Sequence, residues 1–151
     1  MGKRLVIING PSINMLGIRE PEIYGTQTYD ELYRLIEVHA AEIGAEVDIF
    51  QSNSEGALID CIQQAYFDGA DGIVINPAGY THTSIALRDA LFAVGIPAVE
   101  VHVSAIENRE AFRQISYVRD ACVATISGHG IAGYTEAMDV LANLQEGEPC
   151  R

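Results

Sequence analysis

Residues 72–76 read Gly72-Ile73-Val74-Ile75-Asn76, an apolar run without a charge. A run of this kind suits a strand that is covered on both faces, as strands of a parallel sheet are. It continues into Pro77-Ala78-Gly79-Tyr80-Thr81-His82, a turn that leads to a helical pattern over 83–94, stopped by Gly95 and Pro97. Similar units lie on either side. Strands are expected at 4–9, 46–51, 98–103 and 122–127, and helices at 28–43, from Ser54 to near Gly69, and at 135–144. A short helical piece is expected around 106–114. In the first helix Leu32, Leu35, Ile36, Ala40 and Ile43 share one face. Thr28 is placed to cap it, Glu31 stands at the capping-box position, and Gly44 follows as a stop. Strands alternating with helices predict right-handed βαβ units. The fold class is therefore α/β, a flavodoxin-like, doubly wound, five-stranded parallel sheet. The expected strand order is 2-1-3-4-5, in one domain spanning 1–151.

The 151-residue chain is 48% hydrophobic and 20% charged, ordinary values for a globular domain. It contains no apolar run of the roughly 20 residues that a membrane-crossing helix needs. Its net charge of −12 disfavours nucleic acid and anionic membranes as partners. An anionic ligand would have to be held by a local group of arginines. Cys61, Cys122 and Cys150 are odd in number and far apart. They give no disulfide framework and no zinc pattern, and they suit a reducing cytoplasm. The only lysine, Lys3, precedes the first strand. Imine chemistry would depend on it, at the wrong end of the sheet.

Ligands of such sheets bind beyond the carboxyl ends of the strands, near the switch point, and the polar residues cluster there. The first strand ends in Asn9 and a long connection rich in Gly and Pro, read as a lid over about 10–27. Compact domains keep such connections mainly as lids or binding loops. It carries Arg19 and Tyr24. A tyrosine serves as a base when a neighbouring guanidinium favours its phenolate; alternatively the pair packs and solvates the loop. Glu100 and His102 alternate onto one side of the fourth strand, so the carboxylate is able to orient the imidazole. That is half of a general-acid arrangement, or a hydrogen-bonded core histidine. His82 opens a helix as a capping or anion-binding group, or as a plain N-terminal residue. Asn76 caps a turn or meets a ligand hydroxyl. Arg109 and Arg113, four apart on one helical face, are solvated, or one of them clamps an anion. Residues 128–133, GHGIAG, match GxGxxG, but a dinucleotide fingerprint belongs in the first βαβ unit with a strand after it, and none follows here. No cofactor is expected.

The blocks INGPSINMLGIREPEIYG, NPAGYTHTSIALRDAL, EVHVS, REAFR and ISGHGIAGY together resemble the type II 3-dehydroquinate dehydratases over nearly the whole chain. The resemblance implies a cytoplasmic hydro-lyase without metal or cofactor, assembled as a dodecamer of four trimers. Its substrate would be 3-dehydroquinate, converted to 3-dehydroshikimate by anti elimination through an enolate, in the shikimate pathway or in quinate breakdown. It also implies roles. Tyr24 is the base, Arg19 keeps it deprotonated, and His102 is the acid, oriented by Glu100. Asn76, His82 and Arg113 hold substrate hydroxyls and carboxylate, with backbone groups of Val103 and Ser104. Asp89 reaches a neighbouring subunit's site. One departure stands out: where the family reads Pro-Asn-x-Asn, this chain has Pro11-Ser12-Ile13-Asn14. The usual Asn helps to hold the enolate oxygen through a water, so Ser12 raises an alternative, a weakened relative that binds the cyclic polyol acid without turnover.

Overall fold

The computed structural model describes residues 2–18 and 20–145. Arg19 and Cys150, both named above, lie outside the described residues. Five strands, β1 (Arg4–Asn9), β2 (Glu46–Gln51), β3 (Gly72–Asn76), β4 (Ala98–His102) and β5 (Ala124–Ser127), form one sheet in the order β2-β1-β3-β4-β5. Every pairing is parallel. Five α-helices accompany them: α1 (Pro21–Tyr24), α2 (Tyr29–Ile43), α3 (Glu55–Phe67), α4 (Ile85–Val94) and α5 (Ala132–Ala142).

Strand alternation divides the apolar residues into two cores. Leu5, Ile7, Val74, Val99 and Val101 meet Leu32 and Ile36 of α2 and Tyr134, Met138 and Leu141 of α5. Val6, Ile8, Ile73, Ile75 and Ala98 meet Leu58 and Ile62 of α3 and Leu87 and Leu91 of α4. The central strands β3 and β4 are buried along their whole length, whereas the edge strands are half-exposed. This burial explains why β3 reads as an unbroken apolar run, whereas β4 carries the buried polar residues Glu100 and His102 within its run.

Side-chain caps set three of the helix starts. Thr28 Oγ1 accepts from the Glu31 amide at 3.2 Å, Ser54 Oγ from Ala57 at 3.3 Å, and Ser84 Oγ from Leu87 at 3.0 Å. His39 Nε2 lies 2.6 Å from Asp139 Oδ1 and ties α2 to α5. Lys3 Nζ donates to the carbonyls of Leu141 and Leu144, both at 2.7 Å. It therefore caps the C-terminal end of α5, at the end of the sheet opposite the strand carboxyl termini.

Several boundaries differ from expectation, most of them where a 3-10 turn intervenes. Residues 78–82 form such a turn, so α4 starts at Ile85 behind its Ser84 cap, and His82 ends the turn and caps no helix. The piece expected at 106–114 is two turns, Ile106–Asn108 and Ala111–Gln114, separated by extended backbone at Arg109. Arg109 and Arg113 thus do not share a helical face. The β5 segment starts at Ala124 after a turn at Arg119–Ala121, and α5 starts at Ala132, earlier than the expected 135. The connection after β1 is also more regular than its composition suggests. It holds a 3-10 turn at Ile13–Met15 and then α1, with Pro21 at the first helical position, where its missing N–H costs nothing.

Candidate active site

The carboxyl ends of β1, β3 and β4 meet at the switch point. Gly10 is required there: a Cβ on it would stand 2.5 Å from the Pro77 carbonyl oxygen. Its absence lets the loops after β1 and β3 touch, with Gly10 N donating to Asn76 O at 2.8 Å. Above this contact lies a cavity of about 210 Å³. Ser12, Tyr24, Asn76, His82, His102, Val103, Ser104 and Arg113 all line it, as expected, and Arg109 joins them. Two expected residues stand apart. Asp89 is exposed on α4 and does not line the cavity. Glu100 lies behind His102, wholly buried.

Tyr24 enters from the loop on α1. Arg109 Nη1 donates to its hydroxyl oxygen at 2.6 Å, and the guanidinium carbon lies 5.2 Å from the ring centroid. A guanidinium N–H this close to a phenolic oxygen makes a short, charge-assisted hydrogen bond. The guanidinium seen on Tyr24 is therefore Arg109, a residue expected from sequence to be solvated or to clamp an anion. The two are 85 positions apart, on a loop and between two 3-10 turns, and no spacing rule links them. Arg113 pairs with Glu110, Nε to Oε2 at 2.8 Å.

His102 enters from the sheet. Its Nε2 lies 2.5 Å from Glu100 Oε2, which leaves Nδ1 for a ligand. Glu100 also accepts from Ser116 Oγ at 2.7 Å and Thr125 Oγ1 at 3.1 Å, and Arg119 Nε stands 3.5 Å away. Burial pushes its carboxyl upward, but the bond and charge of His102, then Ser116 and Arg119, outweigh it and hold the group below the usual carboxylate range. Glu100 is thus held as an anion and fixes the orientation of the His102 imidazole.

His82 differs. Its Nδ1 donates to the Ile115 carbonyl at 2.7 Å, leaving Nε2 as an acceptor. Burial, helped by the charges of Arg113 and His102, holds it below the ordinary histidine range against the opposing pull of the Ile115 carbonyl and Glu100. The two histidines thus have different partners, a carboxylate for His102 and a backbone carbonyl for His82. Ser12 sits in the left-handed region (φ 68°), its amide donating to Asn53 Oδ1 at 3.0 Å. Together the residues offer a tyrosine beside a cation, an acid on a carboxylate, two arginines and several neutral polar groups.

Known proteins match this chain over nearly its whole length. Residues 3–142 match the family model described as dehydroquinase class II. A 3-dehydroquinate dehydratase of Rhodopseudomonas palustris is 55% identical over 142 residues, 94% of this chain and 94% of that protein. The crystal structure of the type II dehydroquinase from Butyrivibrio crossotus superposes with a TM-score of 0.91 at 49% identity, covering 93% of this chain and 97% of that one. The type II dehydroquinase from Propionibacterium acnes superposes with a TM-score of 0.89 at 43% identity, covering 95% and 99%.

Proposed function

Since the chain belongs to the class II dehydroquinase family, we propose that it is a 3-dehydroquinate dehydratase, a hydro-lyase of the shikimate pathway or of quinate breakdown. The observation that carries the mechanism is the Arg109–Tyr24 contact at 2.6 Å in the same cavity as the His102–Glu100 pair.

The Tyr24 phenolate takes a proton from the carbon beside the ketone, and the electron pair moves onto the carbonyl oxygen as an enolate. The enolate re-forms the ketone and expels the hydroxyl one carbon further on, which leaves as water with a proton from His102. Exchange with solvent returns phenolate and imidazolium to their starting forms. For an anti elimination the two act on opposite faces of the substrate, Tyr24 from the loop and His102 from the sheet. Arg113 and the backbone of Val103 and Ser104 hold the substrate carboxylate and neighbouring groups, while Asn76 and neutral His82 take hydroxyls. Arg19 is assigned to the base side with Arg109. The route needs no imine, and Lys3 is committed to α5 at the far end of the sheet.

The test is ultraviolet absorbance of purified protein mixed with 3-dehydroquinate. A conjugated enone product makes absorbance rise; binding without any rise would instead fit a relative that no longer turns the substrate over.

Ser12 stands where the family carries Asn and has one hydroxyl for the enolate side. Loss of one donor to a developing oxyanion costs on the order of 100-fold in rate. Asparagine adopts the left-handed region readily, so Ser12→Asn fits the backbone already present. We expect it to raise kcat with KM little changed; an unchanged or lower kcat would remove Ser12 from this role.

The proposal extends to assembly as four trimers, with Asp89 reaching a neighbouring site. Asp89 shares the outward side of α4 with exposed Ile85 and Phe92, and Phe112 and Ile115 are exposed nearby in sequence to Arg113. Apolar side chains so placed suit burial against another copy. Sedimentation should give twelve times the chain mass of 16.4 kDa; a monomer that turns over normally would refute the shared site. A cytoplasmic location fits the free thiol of Cys61. Among the described residues no helix is long and apolar enough to cross a membrane.

A further inference from the structure

The glycine-bearing stretch at 128–133 leads from β5 into α5, and its last glycine shapes the site. A Cβ on Gly133 would lie 3.3 Å from Ile126 Cγ2 and 3.4 Å from Val101 Cγ1, so glycine lets the first turn of α5 sit close on the sheet. The next residue, Tyr134, is then wholly buried. Its hydroxyl donates to Asn9 Oδ1 at 2.7 Å and accepts from Asn76 Nδ2 at 2.9 Å. Asn9 and Asn76 are register partners at the ends of β1 and β3, and the phenol bridges them from above.

Asn76 is held at both ends. Nδ2 bonds to Tyr134, and Oδ1 accepts from the Ala78 amide at 3.1 Å. Ala78 has a positive φ of 53°, a conformation unfavourable for a non-glycine residue that this bond helps to hold. The Asn76 amide therefore has one orientation, with one N–H and one lone pair left over. Tyr134 does not line the cavity, whereas Asn76 does. Burial pushes the Tyr134 phenol well above its ordinary range, with the Asn76 bond pulling less strongly the other way. Burial thus favours the neutral phenol, the form that donates to Asn9.

We propose that Tyr134 is a positioning residue: through the Asn9–Tyr134–Asn76 bridge it sets which way the Asn76 amide faces and thereby how tightly a substrate hydroxyl is held. The proposal rests on the functional reading above, because it assigns Asn76 to that hydroxyl. A bond made equally in ground and transition states appears in KM and leaves kcat unchanged. Tyr134→Phe keeps the ring and removes the bridge.

The experiment is a double-mutant cycle on the full chain. Tyr134→Phe should raise KM for 3-dehydroquinate by about tenfold with kcat within about threefold. In an Asn76→Ala background the same change should move KM by less than about twofold, because the bridge no longer has an amide to orient. Equal KM increases in the two backgrounds would mean a general structural effect and overturn the proposal, as would no increase in either. Should Tyr134→Phe fail to fold, Asn9→Leu removes the acceptor of the same bridge. A folded Asn9→Leu protein with unaltered KM overturns the proposal as well. Calorimetric Kd values for 3-dehydroquinate in a Tyr24→Phe background give the ratio without turnover. Turnover by the unaltered protein separates failure of the functional reading from failure of this one.

Discussion

Replacing Tyr24 with phenylalanine is expected to lower kcat by about three to four orders of magnitude, the scale of a lost general base, with KM changed only a few-fold. The argument is local. Tyr24 sits on a one-turn helix in an outer loop and is half-exposed, so the fold does not depend on its hydroxyl. The ring keeps its contact with the Arg109 guanidinium at 5.2 Å. What disappears is the oxygen that Arg109 holds at 2.6 Å, and with it the acceptor for the proton beside the ketone. Steady-state rates together with a thermal unfolding midpoint check this. A kcat within tenfold of the unaltered protein would take the base role from Tyr24.

The second large effect is at His102. His102→Asn should lower kcat by about two to four orders of magnitude, because an amide has no proton to give to the departing hydroxyl. It also acts on Glu100, which is wholly buried. The carboxylate loses its 2.5 Å partner but keeps Ser116, Thr125 and Arg119. A stability loss of about 1–3 kcal/mol is therefore expected and not collapse. The pH dependence follows in sign. Glu100 titrates lower folded than unfolded, so its contribution is complete above the unfolded value and fades as pH falls through the folded one. Without His102 that folded value rises, and the variant should unfold at a higher pH on acid titration. Acid unfolding at the same pH as the unaltered protein would show that the pair is not coupled.

Much of this architecture is legible in the chain itself. Runs such as 72–76 announce strands covered on both faces, and Thr28 and Ser54 mark helix starts through their own side chains. Boundaries slipped where a 3-10 turn intervened, at 78–82, at 106–114 and before β5, because turns of three residues leave no periodicity to count. The site was legible to the extent that strand alternation carries it: Glu100 and His102 share a face because they are two apart. Arg109 on Tyr24 was not, nor was the bridge from Tyr134 to Asn9 and Asn76. Each joins elements far apart in sequence, and only the packing of α5 and of the loop onto the strand ends creates it. The chemistry came from resemblance. Composition and spacing alone reach a polar site on an α/β sheet and stop there.

The most direct measurement of the mechanism uses 3-dehydroquinate carrying deuterium on one face or the other of the carbon beside the ketone, turned over in the presence of borohydride. With Tyr24 in the loop as base and His102 on the sheet as acid, the deuterium anti to the departing hydroxyl is lost and the other is retained, with no inactivation by borohydride. Loss of the syn deuterium, or a borohydride-trapped adduct on Lys3, would contradict an enolate elimination run by these two residues.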